Sequence, residues 1–181
     1  MLRDESYRAL DKLKNEESFS SYPIRLFGRE MLQPRLIAWA GEADYTYSGH
    51  VMTPQAPGEC LGDLRRRVEC HLGMSFNHIL LNLYRDGNDS MGQHSDDEPE
   101  LGSRPTIASL SLGAPRRFTW KRKSSERKSS KPRSIELGEG DLLIMSGNFQ
   151  MNYLHALPKT RRFVGERLNL TFRRIQAPKL Q

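Results

Sequence analysis

The sequence predicts an α+β fold whose core is antiparallel β structure. Three observations lead there. Short apolar or β-branched runs recur along the second half of the chain at regular spacing. Turn sequences separate them: DGND, LGSRP, SLGAP, GEGD and SGN. A single helical period precedes them. Many short strands at even spacing suit a sandwich or barrel. A chain of 181 residues suits one domain with one sizeable core.

Residues 1–20 are polar and charged and form a short helix or an arm. From Tyr22 to Val51 apolar and aromatic pairs alternate with Gly and Pro, a texture of strands joined by turns. Pro54, Pro57 and Gly58 mark a loop. Leu61, Leu64, Val68 and Leu72 then recur at helical spacing, with Arg65, Arg66 and Arg67 off that stripe. Strands follow at His78–Tyr84, Thr106–Leu112, Arg117–Trp120, Ser134–Leu137, Asp141–Met145, His155–Leu157 and Arg167–Arg173. Residues 121–134 hold seven Lys or Arg and one Glu, which reads as a solvated hairpin loop able to touch phosphates.

Composition excludes some classes of function. No stretch approaches the ~18 apolar residues of a membrane span, so no membrane role is expected. The N-terminus has no apolar segment of the secretory kind, which points to an intracellular protein. The expected compartment is the cytoplasm if the source is bacterial and the nucleus if it is eukaryotic. Cys60 and Cys70 fit no zinc or redox spacing and read as reduced thiols. A net charge of +6 favours polyanions, nucleic acid foremost.

Two constellations carry chemistry. In His94-Ser95-Asp96, an extended backbone would turn the imidazole and the carboxylate to one side. His155, fifty-nine residues beyond Asp96, sits in the apolar segment MNYLHALP. Two His and one carboxylate make a facial triad that leaves coordination positions open, the arrangement of non-haem Fe(II) oxygenases. An isolated HxD is common, so the triad needs a second pattern beside it. That pattern is Arg167-Leu168-Asn169-Leu170-Thr171-Phe172-Arg173, in which the polar residues share one strand face and the apolar ones the other. The polar face suits either solvent or a pocket for a dicarboxylate. Two Arg at i and i+6 stand ~20 Å apart on an extended strand, so spacing alone does not establish a double clamp.

Taken in order, His94-x-Asp96, His155 and Arg167-x-Asn169-x-Thr171-x-Arg173 resemble the AlkB family of nucleic-acid dealkylation dioxygenases. Asn82-Leu83-Tyr84-Arg85-Asp86-Gly87 resembles the strand and turn ahead of that family's metal motif. Residues 94–98 and 107–113 are similar to segments of the animal nuclear members and their bacterial relatives. Leu26-Phe27-Gly28, Pro34-Arg35 and Tyr45-Thr46-Tyr47-Ser48-Gly49 resemble its nucleotide-recognition lid. The resemblance covers about residues 22 to 175.

It implies a double-stranded β-helix (jelly-roll) core with flanking helices and an N-terminal lid. The implied organisation is an arm or helix at 1–20, the lid at 21–60 and the dioxygenase core at 61–176. The implied ligands of Fe(II), and so the catalytic residues, are His94, Asp96 and His155. Asn82, Tyr84, Arg167, Asn169 and Arg173 are implied for 2-oxoglutarate. Dioxygen is the other co-substrate. The implied reaction is demethylation of bases such as 1-methyladenine and 3-methylcytosine in DNA or RNA, with release of formaldehyde, succinate and CO2. Substrate contacts are implied for Tyr47, stacking on a flipped base, and for Tyr45 and Glu98. Phe27 is expected as a finger inserted into a duplex unless it is core, and Arg35 at phosphates. A monomer acting on alkylated nucleic acid is expected. An oxygenase of protein or small molecules, a non-catalytic binding module and a structural zinc site are the competing readings. Structural zinc normally has four protein ligands, and neither Cys lies near the triad in sequence.

Overall fold

The computed structural model describes residues 3–26, 29–47, 50–123 and 131–176. In chain order the elements are α1 (Arg3–Glu16), β1 (Pro23–Leu26), β2 (Arg29–Leu32), β3 (Leu36–Gly41), β4 (Tyr45–Tyr47), β5 (His50–Met52) and α2 (Glu59–Leu72). Then come β6 (His78–Tyr84), β7 (Met91–His94), a 3-10 turn (Pro99–Leu101), β8 (Ile107–Gly113), β9 (Arg116–Arg122) and β10 (Arg133–Leu137). The chain closes with β11 (Leu142–Met145), the single-turn α3 (Phe149–Asn152), β12 (Tyr153–Leu157) and β13 (Arg167–Arg173).

A five-stranded sheet, in the order β11-β8-β13-β6-β3, faces a four-stranded one, β10-β9-β12-β7. Every pairing within them is antiparallel. This is the jelly-roll core expected from the sequence. The larger sheet is covered on both faces, which is why β6 and β8 are buried at every position. Its outer face carries Leu81, Leu83, Ala108, Leu110, Leu168 and Leu170, packed with Leu10 and Leu13 of α1 and Leu61, Leu64 and Val68 of α2. Its inner face carries Leu80 and Ile107, which meet Phe118, Leu137 and Met145 between the sheets. The helix α2 ends where Gly73 turns left-handed (φ 63) and returns its N–H to the Glu69 carbonyl.

Strand β3 runs through the middle of the stretch 21–60, pairs with β6 from Leu36↔Leu83 to Gly41↔His78, and is an edge of the larger sheet. Only the small hairpins β1–β2 and β4–β5 stand apart from that sheet. The N-terminal stretch forms the helix α1, one of the two forms expected for it, and buries Ala9, Leu10 and Leu13 in the core. Cys60 and Cys70 are free thiols.

Candidate active site

Five strands, β6, β7, β8, β12 and β13, aim polar side chains into the space between the sheets. Register explains which ones meet. On the larger sheet, β13 lies against β6 with Arg167 opposite Tyr84 and Asn169 opposite Asn82. The face of β13 left open by its sequence pattern is therefore an interior one: Arg167 and Arg173 are each 2% exposed. On the smaller sheet, β12 lies against β7 with His155 opposite His94. All these residues and Asp96 line a single cavity.

Ligand atoms of His94, Asp96 and His155 lie within 4.8 Å of one another. His94 donates Nδ1–H to the Gly92 carbonyl at 2.9 Å, which leaves Nε2 facing Asp96 Oδ1 at 3.6 Å. His155 is buried against Phe118 and Phe149, and its ring centre is 4.2 Å from that of His94. Desolvation, then the neighbouring His94, push its pKa down to about 4, so it is a neutral imidazole ready to ligate. Its buried Nδ1 makes no hydrogen bond among the described residues. Asp96 is 1% exposed. Burial pushes its carboxyl up, but Arg173 and the two imidazoles outweigh this and hold it below the usual carboxylate range. An ionised carboxylate and two imidazoles, converging with no fourth protein ligand among the described residues, fit a ferrous ion with open positions.

His94 and Asp96 converge with His155, but not through strand alternation. Strand β7 ends at His94, so His94 and Asp96 do not share a strand face. Asp96 is held from elsewhere. Its N–H donates to Gln150 Oε1 at 3.0 Å, and its Oδ1 meets Arg173 Nη2 at 3.1 Å. Gln150 carries no sequence signal for this role, since an amide on a one-turn helix has no spacing to recognise.

The other end of the cavity is built around Arg167. Its Nη2 donates to Ser111 Oγ (2.9 Å) and Asn169 Oδ1 (3.0 Å), and the guanidinium stands over the Tyr84 ring at 5.6 Å. Nε makes no hydrogen bond, and no carboxylate pairs with Arg167 among the described residues. Desolvation pushes its pKa down to about 10, which still leaves a cation at neutral pH. A buried cation without a counter-ion costs several kcal/mol, and a carboxylate entering the cavity would offset that. Ser109, Asn169 and Thr171 continue as a hydrogen-bonded row, Ser109 Oγ to Asn169 Oδ1 and Asn169 Nδ2 to Thr171 Oγ1, each 2.8 Å. Ser109 and Ser111 were not singled out in the sequence, where IASLSLG reads as strand alone.

The remaining expected residues divide. Tyr45 is buried, its ring 5.6 Å beneath the Arg173 guanidinium and edge-on to His78 at 4.7 Å. It lies against Glu98, whose carboxyl burial pushes up despite Arg173. Both stand near Asp96 and Arg173, and neither lines the cavity that the triad shares with Arg167. Arg35, expected at phosphates, is 4% exposed and donates Nε–H to Asn82 Oδ1 at 2.7 Å. That place is inside the fold beside Asn82 and not on an exposed surface. Phe27 and residues 124–130 of the basic loop lie outside the described residues, and Tyr47 is described in its backbone alone.

Comparison with known proteins agrees with this geometry. The model of the 2OG-Fe(II) oxygenase superfamily matches residues 3–173. The human alpha-ketoglutarate-dependent dioxygenase alkB homolog 3 is 44% identical over 149 residues, 79% of this chain and 52% of that protein. The human DNA oxidative demethylase ALKBH2 is 35% identical over 178 residues, 95% of this chain and 68% of that protein. The mouse ALKBH2 is 36% identical over 180 residues, 95% of this chain and 74% of its own length. A solved structure, "The structure of OsALKBH1", superposes with a TM-score of 0.59 at 19% identity, covering 95% of this chain and 90% of that one, a likeness of fold. The chain belongs to the 2OG-Fe(II) oxygenase superfamily and, within it, to the AlkB family of dioxygenases. Fe(II), 2-oxoglutarate and dioxygen are thus the cofactor and co-substrates. The chain spans about half the length of the alkB homolog 3 proteins it matches.

Proposed function

We propose that the protein removes methyl groups oxidatively from alkylated bases, such as 1-methyladenine and 3-methylcytosine, in DNA or RNA, as a direct-reversal repair enzyme. One observation carries the reading: the His94–Asp96–His155 cluster, with Asp96 and His155 buried, shares its cavity with a buried Arg167 that no carboxylate neutralises among the described residues. The names of the relatives, a dioxygenase and a DNA oxidative demethylase, support the reaction class.

In this reading His94, Asp96 and His155 hold the iron. Arg167, with Tyr84, Asn82 and Asn169 around it, receives one carboxylate of 2-oxoglutarate, and Arg173 steadies the metal-proximal end while holding Asp96. Iron with 2-oxoglutarate and dioxygen supplies the oxidation of a C–H bond, with succinate and CO2 as by-products. The chain supplies position, charge and exclusion of water. Oxidation turns the N-methyl group into N-hydroxymethyl, which collapses to formaldehyde and the repaired base. A methylated ring nitrogen is out of reach in a duplex, so the base must be unpaired or flipped out. Tyr47 stacks on it, and Tyr45 and Glu98 shape the wall it meets. A carboxylate there favours 1-methyladenine and 3-methylcytosine, which carry positive charge. The net charge of +6 attracts the phosphate backbone.

Succinate and formaldehyde release tests this. Equal amounts of both are expected from iron-loaded protein given an oligonucleotide with 1-methyladenine, and neither from methylated peptide. Release with peptide alone would reassign the substrate. For the finger role of Phe27, Phe27→Ala is expected to weaken activity on duplexes more than on single strands; equal losses would remove that role.

A further inference from the structure

Asp96 occupies a position that β structure cannot hold. Strand β7 stops at His94, the last of its residues paired with β12, so Asp96 lies past the end of the ladder. The backbone N–H of Asp96 is therefore buried with no strand partner to accept it. An unpaired buried N–H costs ~1–3 kcal/mol, and a backbone that swung away to find water would take the carboxylate with it.

One side chain meets this N–H. Gln150, 54 residues away in sequence and 2% exposed, places Oε1 at 3.0 Å from it. The donor fixes the amide's orientation, since an N–H can bond only to its oxygen. The other end of the amide, Nε2, points to Met145 Sδ at 3.7 Å. Gln150 sits on α3, which runs directly into β12 and hence to His155. The bond thus ties the segment carrying the carboxylate to the segment carrying an imidazole, the two being remote along the chain. Arg173 grips the same residue by its carboxylate. Backbone and side chain of Asp96 are fixed by different partners.

We propose that Gln150 is a positioning residue for the metal centre: its amide oxygen, on the Asp96 N–H, sets where the carboxylate stands relative to His94 and His155. The inference rests on Asp96 being a ligand. Partners of metal ligands typically govern ~10–100-fold in metal affinity.

The experiment is titration of the metal-free full chain with Co(II), followed by its visible absorption, beside thermal melting of the same metal-free samples. Gln150→Met keeps the volume and removes the acceptor. It is expected to weaken Co(II) binding by ~10–100-fold with a melting temperature close to that of the unaltered protein. Gln150→Glu restores an acceptor at the same reach and is expected to recover most of the affinity. Amide hydrogen exchange of the unaltered, metal-free protein should show the Asp96 N–H protected. Unchanged Co(II) affinity in Gln150→Met, equal losses in Gln150→Met and Gln150→Glu, or an Asp96 amide that exchanges freely would each overturn the proposal. Asp96→Ala separates the two levels. If it binds Co(II) as the unaltered protein does, the ligand assignment falls and the inference with it. If it abolishes binding while Gln150→Met does not weaken it, only the role of Gln150 falls.

Discussion

Replacing Arg167 by methionine separates a co-substrate anchor from a structural cation. In the folded chain Arg167 gives hydrogen bonds to Ser111 Oγ and Asn169 Oδ1 but has no carboxylate partner among the described residues. Its removal leaves two acceptors short of a donor, at ~1 kcal/mol each. It also relieves the burial of an uncompensated guanidinium, worth several kcal/mol in the other direction. Without co-substrate, the protein should lose no more than about 2 kcal/mol in a urea melt. The bound state behaves differently. Charge-assisted hydrogen bonds from Arg to a carboxylate contribute ~1.5–3 kcal/mol each. Loss of two should weaken 2-oxoglutarate by at least ~100-fold, since 1.4 kcal/mol is tenfold. Calorimetric titration of 2-oxoglutarate into Mn(II)-loaded protein gives the affinity directly. An unchanged affinity would refute the anchor, and so would a variant that unfolds while the survivors still bind 2-oxoglutarate normally.

Other outcomes follow from packing and titration. A Cβ on Gly87 would run into the Thr160 carbonyl oxygen, a backbone atom in a loop that also hydrogen-bonds Gly87. Gly87→Ala should therefore cost ~1–3 kcal/mol, and a denaturation midpoint equal to that of the parent would contradict the contact. His78 is buried with both ring nitrogens lacking hydrogen bonds among the described residues, and desolvation followed by Arg173 pushes its pKa from 6.5 to about 3. The unfolded chain takes up this proton first, so the contribution of a neutral His78 is complete above pH 6.5 and drains as pH falls towards 3. The slope is about 1.4 kcal/mol per pH unit. Urea melts between pH 7 and pH 5 should show this loss in the parent and a flatter profile in His78→Leu; parallel profiles would count against it.

How much of this was legible in the sequence depends on whether a feature is local. The alternation of β13 is local, and it marked the correct face of the strand. Whether that face met solvent or a cavity depended on the second sheet, which alternation cannot reveal. The ~20 Å between Arg167 and Arg173 stopped being an objection once both proved to line one cavity with the triad. The register of β13 on β6, which sets Arg167 by Tyr84 and Asn169 by Asn82, is a tertiary fact. So is the support of Asp96 by Gln150 and Arg173. Arg35 was misplaced because a lone Arg between apolar residues looks the same whether it meets phosphate or a buried amide. The place of β3 was hidden for a similar reason. LIAWAG reads as a strand in any case, and only its partner β6 makes it part of the core.

The central claim is that two imidazoles and one carboxylate close on a single iron beside a cavity for 2-oxoglutarate. Crystals grown without oxygen and soaked with Mn(II) and 2-oxoglutarate test it most directly, through the anomalous scattering of the metal. The account requires one strong peak bonded to His94, Asp96 and His155, with a 2-oxoglutarate carboxylate on Arg167. Metal bound elsewhere, or a diacid that leaves Arg167 untouched, would contradict it.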